Sequence, residues 1–552
     1  MEPRGEPERD QLLLKPGPGS VYETAMLCGR YLKNRTASVS KSIKSTGSAA
    51  ALLFASGPAG QRAAAGDNGG VGPRRLQPPG QHPSSPTAYL SGLRGVAAVI
   101  VFLFHSTWAF TSIVDVGYGV PTERDDGNGN KIVVGDANRH LLQLPFLRLV
   151  HAGHAMVGVF FLVGGYVNAV KPLRLMRGHR HAELPPAVAA SLLRRGLRLY
   201  LPALAAMLAT ALLAWGGALE PARRNMDTLQ GVVFYWPDFH PSRHDTLAGT
   251  LAEWRAQALL ILDPWKQPVW PNYDPHLWTV GLEYRASLVL SLGLSALACC
   301  RVGARLGLLT LLAAFMVRCD RWEVALFLAG AVLAEVDLVR KDAAAASSPT
   351  STASPGNAGI DGIDLEAKRE EDRPARPLPP SRRMLGSLGI VLLAVAGMYL
   401  MSFPPEGGQT APGFVLVSRW LVPSWAGDAK RYVHGAGALL FLVAVSGSAA
   451  LQRPFLTRTA QYLGTVSYSL YIVHGPVMHS VGYLIAPAVL AATRAAESEA
   501  RWATGMILAT VVNFAISLAV ADLFYRTIDV GSMRVATAFQ KLCSLGRYQD
   551  KS

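Results

Sequence analysis

The sequence predicts an all-α fold, a polytopic integral membrane helical bundle of about ten transmembrane helices, and three observations predict it. Half of the 552 residues are hydrophobic. They fall in long runs separated by short polar or basic connections, as in a helical membrane protein rather than a soluble chain divided into domains. The basic excess, a formal charge of +15, sits in alternate loops, where it acts as an orientation signal. It is not gathered into a patch with interleaved aromatics, so nucleic acid is not an expected partner.

The chain divides on composition. Residues 1–85 are rich in Gly, Pro, Ser and Arg and cannot bury enough apolar surface to offset chain entropy, so they read as a disordered cytosolic tail. The membrane domain runs over 86–530. Its spans are expected near 90–110, 150–170, 197–216, 277–298, 302–317, 322–339, 385–403, 432–451, 462–488 and 503–525. The segment 341–383 reads as a disordered cytosolic loop within it, and 531–552 as a cytosolic tail. No cleavable signal peptide is expected, and no internal repeat is visible. Cys28, Cys299, Cys300, Cys319 and Cys543 are odd in number and unevenly spaced, which supports neither a disulfide framework nor a zinc ribbon.

Loop charges set the expected orientation. The N-terminal segment carries 11 Lys/Arg, and Lys171 to Arg198 carries seven against one acid, Glu183. Both belong in the cytosol. The loops 111–150 (four basic, five acidic) and 217–276 (five basic, seven acidic) suit the opposite side. Ten spans then leave both termini cytosolic, and the sequon at Asn34 is unglycosylated.

Charged side chains inside apolar runs mark the candidate site. In "GLRGVAAVIVFLFHS", Arg94 and His105 are 11 residues apart. That is about 16 Å of rise and within some 20° of one helix face. A charge in hydrocarbon costs several kcal/mol unless it has a partner or a cavity. Arg94, about 6 Å deep, can instead snorkel to the interface. His105, about 22 Å deep, suits proton transfer. The fourth span, opening "YDPHLWTVGLEYRAS", places Glu283 at a depth similar to His105, where a histidine or arginine must partner it. A structural ion pair is the alternative. "VSYSLYIVHGPV" holds His474 at mid-depth with Pro476 expected to kink its helix. A core histidine on a backbone carbonyl is the alternative there. In "SLLRRGLRLYLP", Arg194, Arg195 and Arg198 form a cationic cluster that can bind lipid headgroups or a phosphorylated cosubstrate. His151, His154, His240 and His244 read as solvated loop histidines, and no spacing completes a metal site.

Together these stretches resemble the membrane acyltransferase 3 family, in particular its fungal-type members, over about residues 86–530. "YLSGLRGVAAVIVFLFHS" resembles the family's first-helix signature, and "GVFFLVGGYV" its F-F-x-x-S-G-Y/F element, with Gly164 where serine is usual. "SLLRRGLRLYLP" and "LWTVGLEYRAS" resemble its R-R-x-x-R-L-x-x-P and W-T-L-x-x-E-F/Y elements. "FLAGAVLAE", "LGTVSYSLYIVHGPV" and "ADLFYRTID" complete the order.

The resemblance implies transfer of an acyl group, commonly acetyl, from acyl-CoA (acetyl-CoA) to a hydroxyl of a saccharide or secondary metabolite. No permanently bound cofactor and no metal are expected. On that reading Arg194, Arg195 and Arg198 hold the donor's phosphates and Arg94 its thioester end. His105 is the general base, and Glu283 orients or charge-balances it. His474 and Trp278 contact the acceptor. Direct attack and an acyl-histidine intermediate both stay open. The competing classes are a proton-coupled multi-pass transporter of a small polar or anionic solute, which the missing repeat disfavours, and a non-catalytic membrane scaffold, which leaves Arg94 and His105 unexplained.

Overall fold

The computed structural model describes residues 85–125, 131–235, 239–266, 268–346 and 380–543. The tail before residue 85 with its sequon, most of the 341–383 loop and residues 544–552 lie outside the described residues.

A helix occupies each of the ten expected span positions. They are α1 (Ala88–Trp108), α2 (Gly153–Arg177), α3 (Leu184–Trp215), α6 (Trp278–Ala296), α7 (Val302–Arg318), α8 (Trp322–Ala346), α9 (Pro380–Met401), α11 (Ala429–Ser446), α12 (Arg458–Val477) and α14 (Glu499–Phe524). Between them lie α4 (Glu220–Leu229), α5 (Leu247–Leu262), α10 (Val415–Leu421) and α13 (Tyr483–Ala492). Five rods are long and apolar enough to cross a membrane: Ala88–Trp108, Gly153–Arg177, His181–Trp215, Arg458–Ala492 and Glu499–Cys543. A sixth is reached if Ala429–Ser446 and the sharply bent Ala449–Leu456 count as one. The chain is an integral, multi-pass membrane protein.

The connecting segments carry structure that the sequence did not specify. The loop 111–150 carries a small antiparallel hairpin, β1 (Pro121–Asp125) with β2 (Lys131–Ala137). And the expected C-terminal tail begins as a helix, α15 (Val530–Cys543), which continues α14 through a π turn at Tyr525–Asp529 and packs on α3. Likewise α8 remains helical to Ala346 and α9 starts at Pro380, which shortens the loop between them.

The centre of the bundle is α1 against α12 and α2 against α8. In lipid, helices gain little from apolar area alone, so close backbone approach decides which pairs form. A Cβ at Gly95 would lie 2.4 Å from the Gly464 nitrogen, and one at Gly165 would lie 2.0 Å from the Phe327 carbonyl oxygen. At both crossings only hydrogen fits. The α12 rod is interrupted by Pro476, which removes one N–H from the ladder, and by a π turn at Met478–Gly482. Such local unwinding re-aims side chains at the point where it occurs.

Buried charges meet partners. Arg285 donates to Glu323 at 2.5 Å. Glu335, fully buried, receives Arg305 at 2.5 Å and Arg177 at 3.3 Å. A lone charge in such surroundings would cost several kcal/mol.

Candidate active site

The described residues bring three imidazoles from three separate elements into one cluster. His105 comes from the last turn of α1 and His474 from α12. His276 comes from a short 3₁₀ turn, Pro275–Leu277, that leads into α6. Ring centroids are 4.2 Å apart for His105 and His276, 4.5 Å for His276 and His474, and 5.3 Å for His105 and His474. His276 and His474 are buried, and His105 is half-buried.

The hydrogen bonds among them fix the tautomers. Asp274 caps the 3₁₀ turn, its Oδ1 accepting from the His276 backbone N–H at 3.2 Å and from His276 Nδ1 at 2.9 Å. A carboxylate can only accept, so His276 carries its proton on Nδ1 and presents a lone pair at Nε2. That lone pair receives His105 Nδ1–H across 3.1 Å. The neutral His105 is thereby left with its own lone pair on Nε2. Tyr471 donates its hydroxyl proton to the His276 carbonyl, and its oxygen lies 2.7 Å from Thr279 Oγ1. His474 donates Nδ1–H to the Tyr471 carbonyl at 2.6 Å, and its Nε2 has no hydrogen-bond partner among the described residues. Gly475 is required beside this chain, because a Cβ there would lie 2.5 Å from His276 Nδ1 and 2.6 Å from Asp274 Oδ1.

The second half of the site lies toward the other end of α1, about 16 Å along the axis at 1.5 Å per residue. Arg195 on α3 donates Nε–H to Ser287 Oγ at 2.6 Å and Nη1–H to Asn168 Oδ1 at 3.3 Å, and it pairs through Nη2 with Glu283 on α6. Arg94 and Arg198 lie within electrostatic reach of this pair, and Asp529 lies within reach of Arg94 and Arg198. The expected cluster of three arginines therefore divides. Arg195 and Arg198 join Arg94, whereas Arg194 donates to Gln540 of α15 at 2.9 Å. Glu283 takes the arginine, one of the two partner types expected for it, and not His105. Its carboxylate serves Arg195, and the carboxylate that orients the histidines is Asp274.

Gly164 faces the ring of Phe327, whose nearest atom would stand 2.8 Å from a Cβ there, and the Arg195 guanidinium lies 5.7 Å from the centroid of that ring. The space a serine side chain would take is filled by an aromatic platform under the arginine. Trp278, at the start of α6, packs on Arg431 at 4.8 Å, and Trp322 takes the same guanidinium at 5.0 Å. Arg431 pairs with Asp428 at 3.2 Å while its Nη1 is buried without a hydrogen-bond partner among the described residues.

Two of the loop histidines, His151 and His240, are not solvated as expected. His151 is buried and bonds the Leu142 carbonyl at 2.9 Å, and His240 is buried and bonds the His479 carbonyl at 3.1 Å. His154 packs on Phe104 at 4.8 Å, and His244 pairs with Glu253. Asp274, His276 and Arg431 were missed from the sequence. The "DPH" preceding Trp278 held the signal for two of them, an Asx-Pro turn aiming a histidine at a membrane boundary.

A family model described as an acyltransferase domain matches residues 87–526. O-acetyltransferase PaAT-1 of Phomopsis amygdali is 25% identical over 487 residues, covering 84% of this chain and 88% of its own. Acyltransferase R4 of a Phoma species is 26% identical over 430 residues, covering 74% and 86%. Acyltransferase clz18 of Cochliobolus lunatus is 27% identical over 425 residues, covering 72% and 83%. No solved structure matches. With a family match over residues 87–526, most of its length, the chain belongs to the acyltransferase 3 family and is a membrane transferase of acyl groups other than aminoacyl groups.

Proposed function

We propose that this protein is an O-acyltransferase that moves an acetyl group from acetyl-CoA to a hydroxyl of a saccharide or other hydroxylated small molecule. The observation that carries the reading is the Asp274–His276–His105 chain, which leaves the lone pair of His105 on Nε2. His105 is then the catalytic residue, and His276 and Asp274 are positioning residues that hold its tautomer.

In the proposed reaction the acceptor hydroxyl gives its proton to His105 Nε2 as its oxygen attacks the thioester carbonyl carbon. The carbon–sulfur bond breaks, and the leaving thiolate recovers the proton from His105. General-base assistance of this kind is worth about 10²–10⁴-fold. The donor's phosphates are matched by Arg195 and Arg198, since guanidinium presents paired donors to phosphate oxygens. Arg94 is the donor-side anchor within the helix bundle. Arg194, turned toward Gln540, is left at the edge of that site. His474 and Trp278 contact the acceptor, with Arg431 supplying a buried donor beside Trp278. No resident cofactor takes part.

With the basic loops taken as cytosolic, the arginine end and both termini lie in the cytosol, and His105 then faces the opposite half of the membrane. A cytosolic donor would so acylate an acceptor presented from the lumenal or extracellular side. The test is thiol release by the full-length protein in vesicles, supplied with acetyl-CoA and a pool of hydroxylated acceptors. Release that requires an acceptor supports the reading. Acceptor-independent release, or transfer to an amine alone, defeats it.

A further inference from the structure

We propose that His105, His276 and His474 form a binding site for one divalent transition-metal ion of the zinc type, and that its occupation switches off acyl transfer. One nitrogen from each ring lies within 4.8 Å of the other two. Zinc–imidazole bonds of about 2.0–2.1 Å in a tetrahedron place ligand nitrogens about 3.3 Å apart. The His276 Nε2 to His105 Nδ1 separation is 3.1 Å, so two of the three ligands already stand at the spacing of a tetrahedral edge. His474 Nε2, buried and without a hydrogen-bond partner, supplies the third.

The outer contacts are those metal-ligating histidines keep. A carboxylate holds Nδ1–H of His276, and a backbone carbonyl holds Nδ1–H of His474. Each contact fixes the ring so that Nε2 faces the cluster and raises its basicity as a ligand. Among the described residues no hard oxygen ligand completes the set, which favours a borderline ion over magnesium or calcium.

Occupation changes the tautomer of His105. Without a metal its proton sits on Nδ1 and its lone pair on Nε2. Bound through Nδ1, the ring carries its proton on Nε2 and has no lone pair to accept one from a hydroxyl. The number of protons on the ring is unchanged, yet the base is gone. The inhibitory consequence rests on the proposed role of His105, whereas the binding itself does not.

The experiment titrates full-length protein in detergent with Co²⁺, reads the visible d–d absorption, and then displaces the ion with Zn²⁺. The expected result is one saturable equivalent with the intensity of a tetrahedral site. Its affinity should fall at least about tenfold in His474→Gln and in His276→Gln and be unchanged in His244→Gln. Zinc should inhibit acyl transfer over the same concentration range, and a chelator should restore it. Should the variants fail to fold, X-ray absorption of the zinc-loaded wild type must show three imidazole nitrogens; fewer overturns the proposal. Absence of saturable binding in protein that still transfers acyl groups overturns it and leaves the enzymatic reading intact. Binding lost in His244→Gln, or retained in both cluster variants, overturns it as well. Specific binding to protein that transfers no acyl group to any acceptor keeps the metal site and removes His105 as the base.

Discussion

His105 shows how a single side chain is set for chemistry by its neighbours. Neutral imidazole in water shares its proton between two nitrogens, and here two successive hydrogen bonds place it on Nδ1. Asp274→Asn replaces a pure acceptor with a group that can also donate, and the preference is lost. The expected outcome is a kcat lower by about 10²-fold with acyl-CoA binding unchanged, and a shifted pH profile that a merely structural role would not produce. Equal loss of kcat and of donor affinity would refute the relay. Arg195→Ala should act the other way, raising KM for acyl-CoA by roughly tenfold or more while leaving Glu283 without its partner. Sequence made Arg94 and His105 legible because both are expensive in hydrocarbon. It could not reveal that Arg194 and Arg195, adjacent in the chain, serve different helices, because that depends on the packing of α3 between α6 and α15.

A second residue gives a pH dependence. Burial, then the charge of Glu406, push the Asp115 carboxyl up to about 6. Its folded pKa exceeds the unfolded value, so its stabilisation is full below about pH 4 and is lost as pH rises through 6. Asp115→Asn should therefore stabilise the protein above pH 7, on the order of 2 kcal/mol, with little effect below pH 4. Melting temperature measured against pH would show the two curves converging at low pH, and parallel curves would contradict the assignment.

At the scale of elements, helix existence was legible and helix partnership was not. Each apolar run became a helix, including the fourth, whose Glu283 and Arg285 are met by Arg195 and Glu323. Which helices touch is decided by glycines that look like any others in the sequence. Gly95→Val should separate α1 from α12, with a loss of about 1–3 kcal/mol from overpacking, seen as a lower melting temperature. Gly307→Ala, where a Cβ meets nothing within 4 Å, should be neutral or stabilise α7 by up to about 1 kcal/mol. If both substitutions behave alike, the crossing at Gly95 is not the contact that holds the bundle.

At the scale of the molecule, the histidine cluster joins parts of the chain that begin at Ala88, Pro275 and Arg458. No local spacing could announce it, since the three imidazoles come together only when the chain folds. The arginine end was more legible, since its residues recur in one short motif on α3 and opposite it on α6. The central claim is that His105 is the base in a direct transfer. It is tested most directly by single-turnover acetyl transfer from acetyl-CoA in wild type and His105→Ala, with acetyl-CoA binding measured on the same samples. Unchanged binding with transfer reduced by at least about 10²-fold is the predicted result. Transfer that survives the substitution would contradict the account.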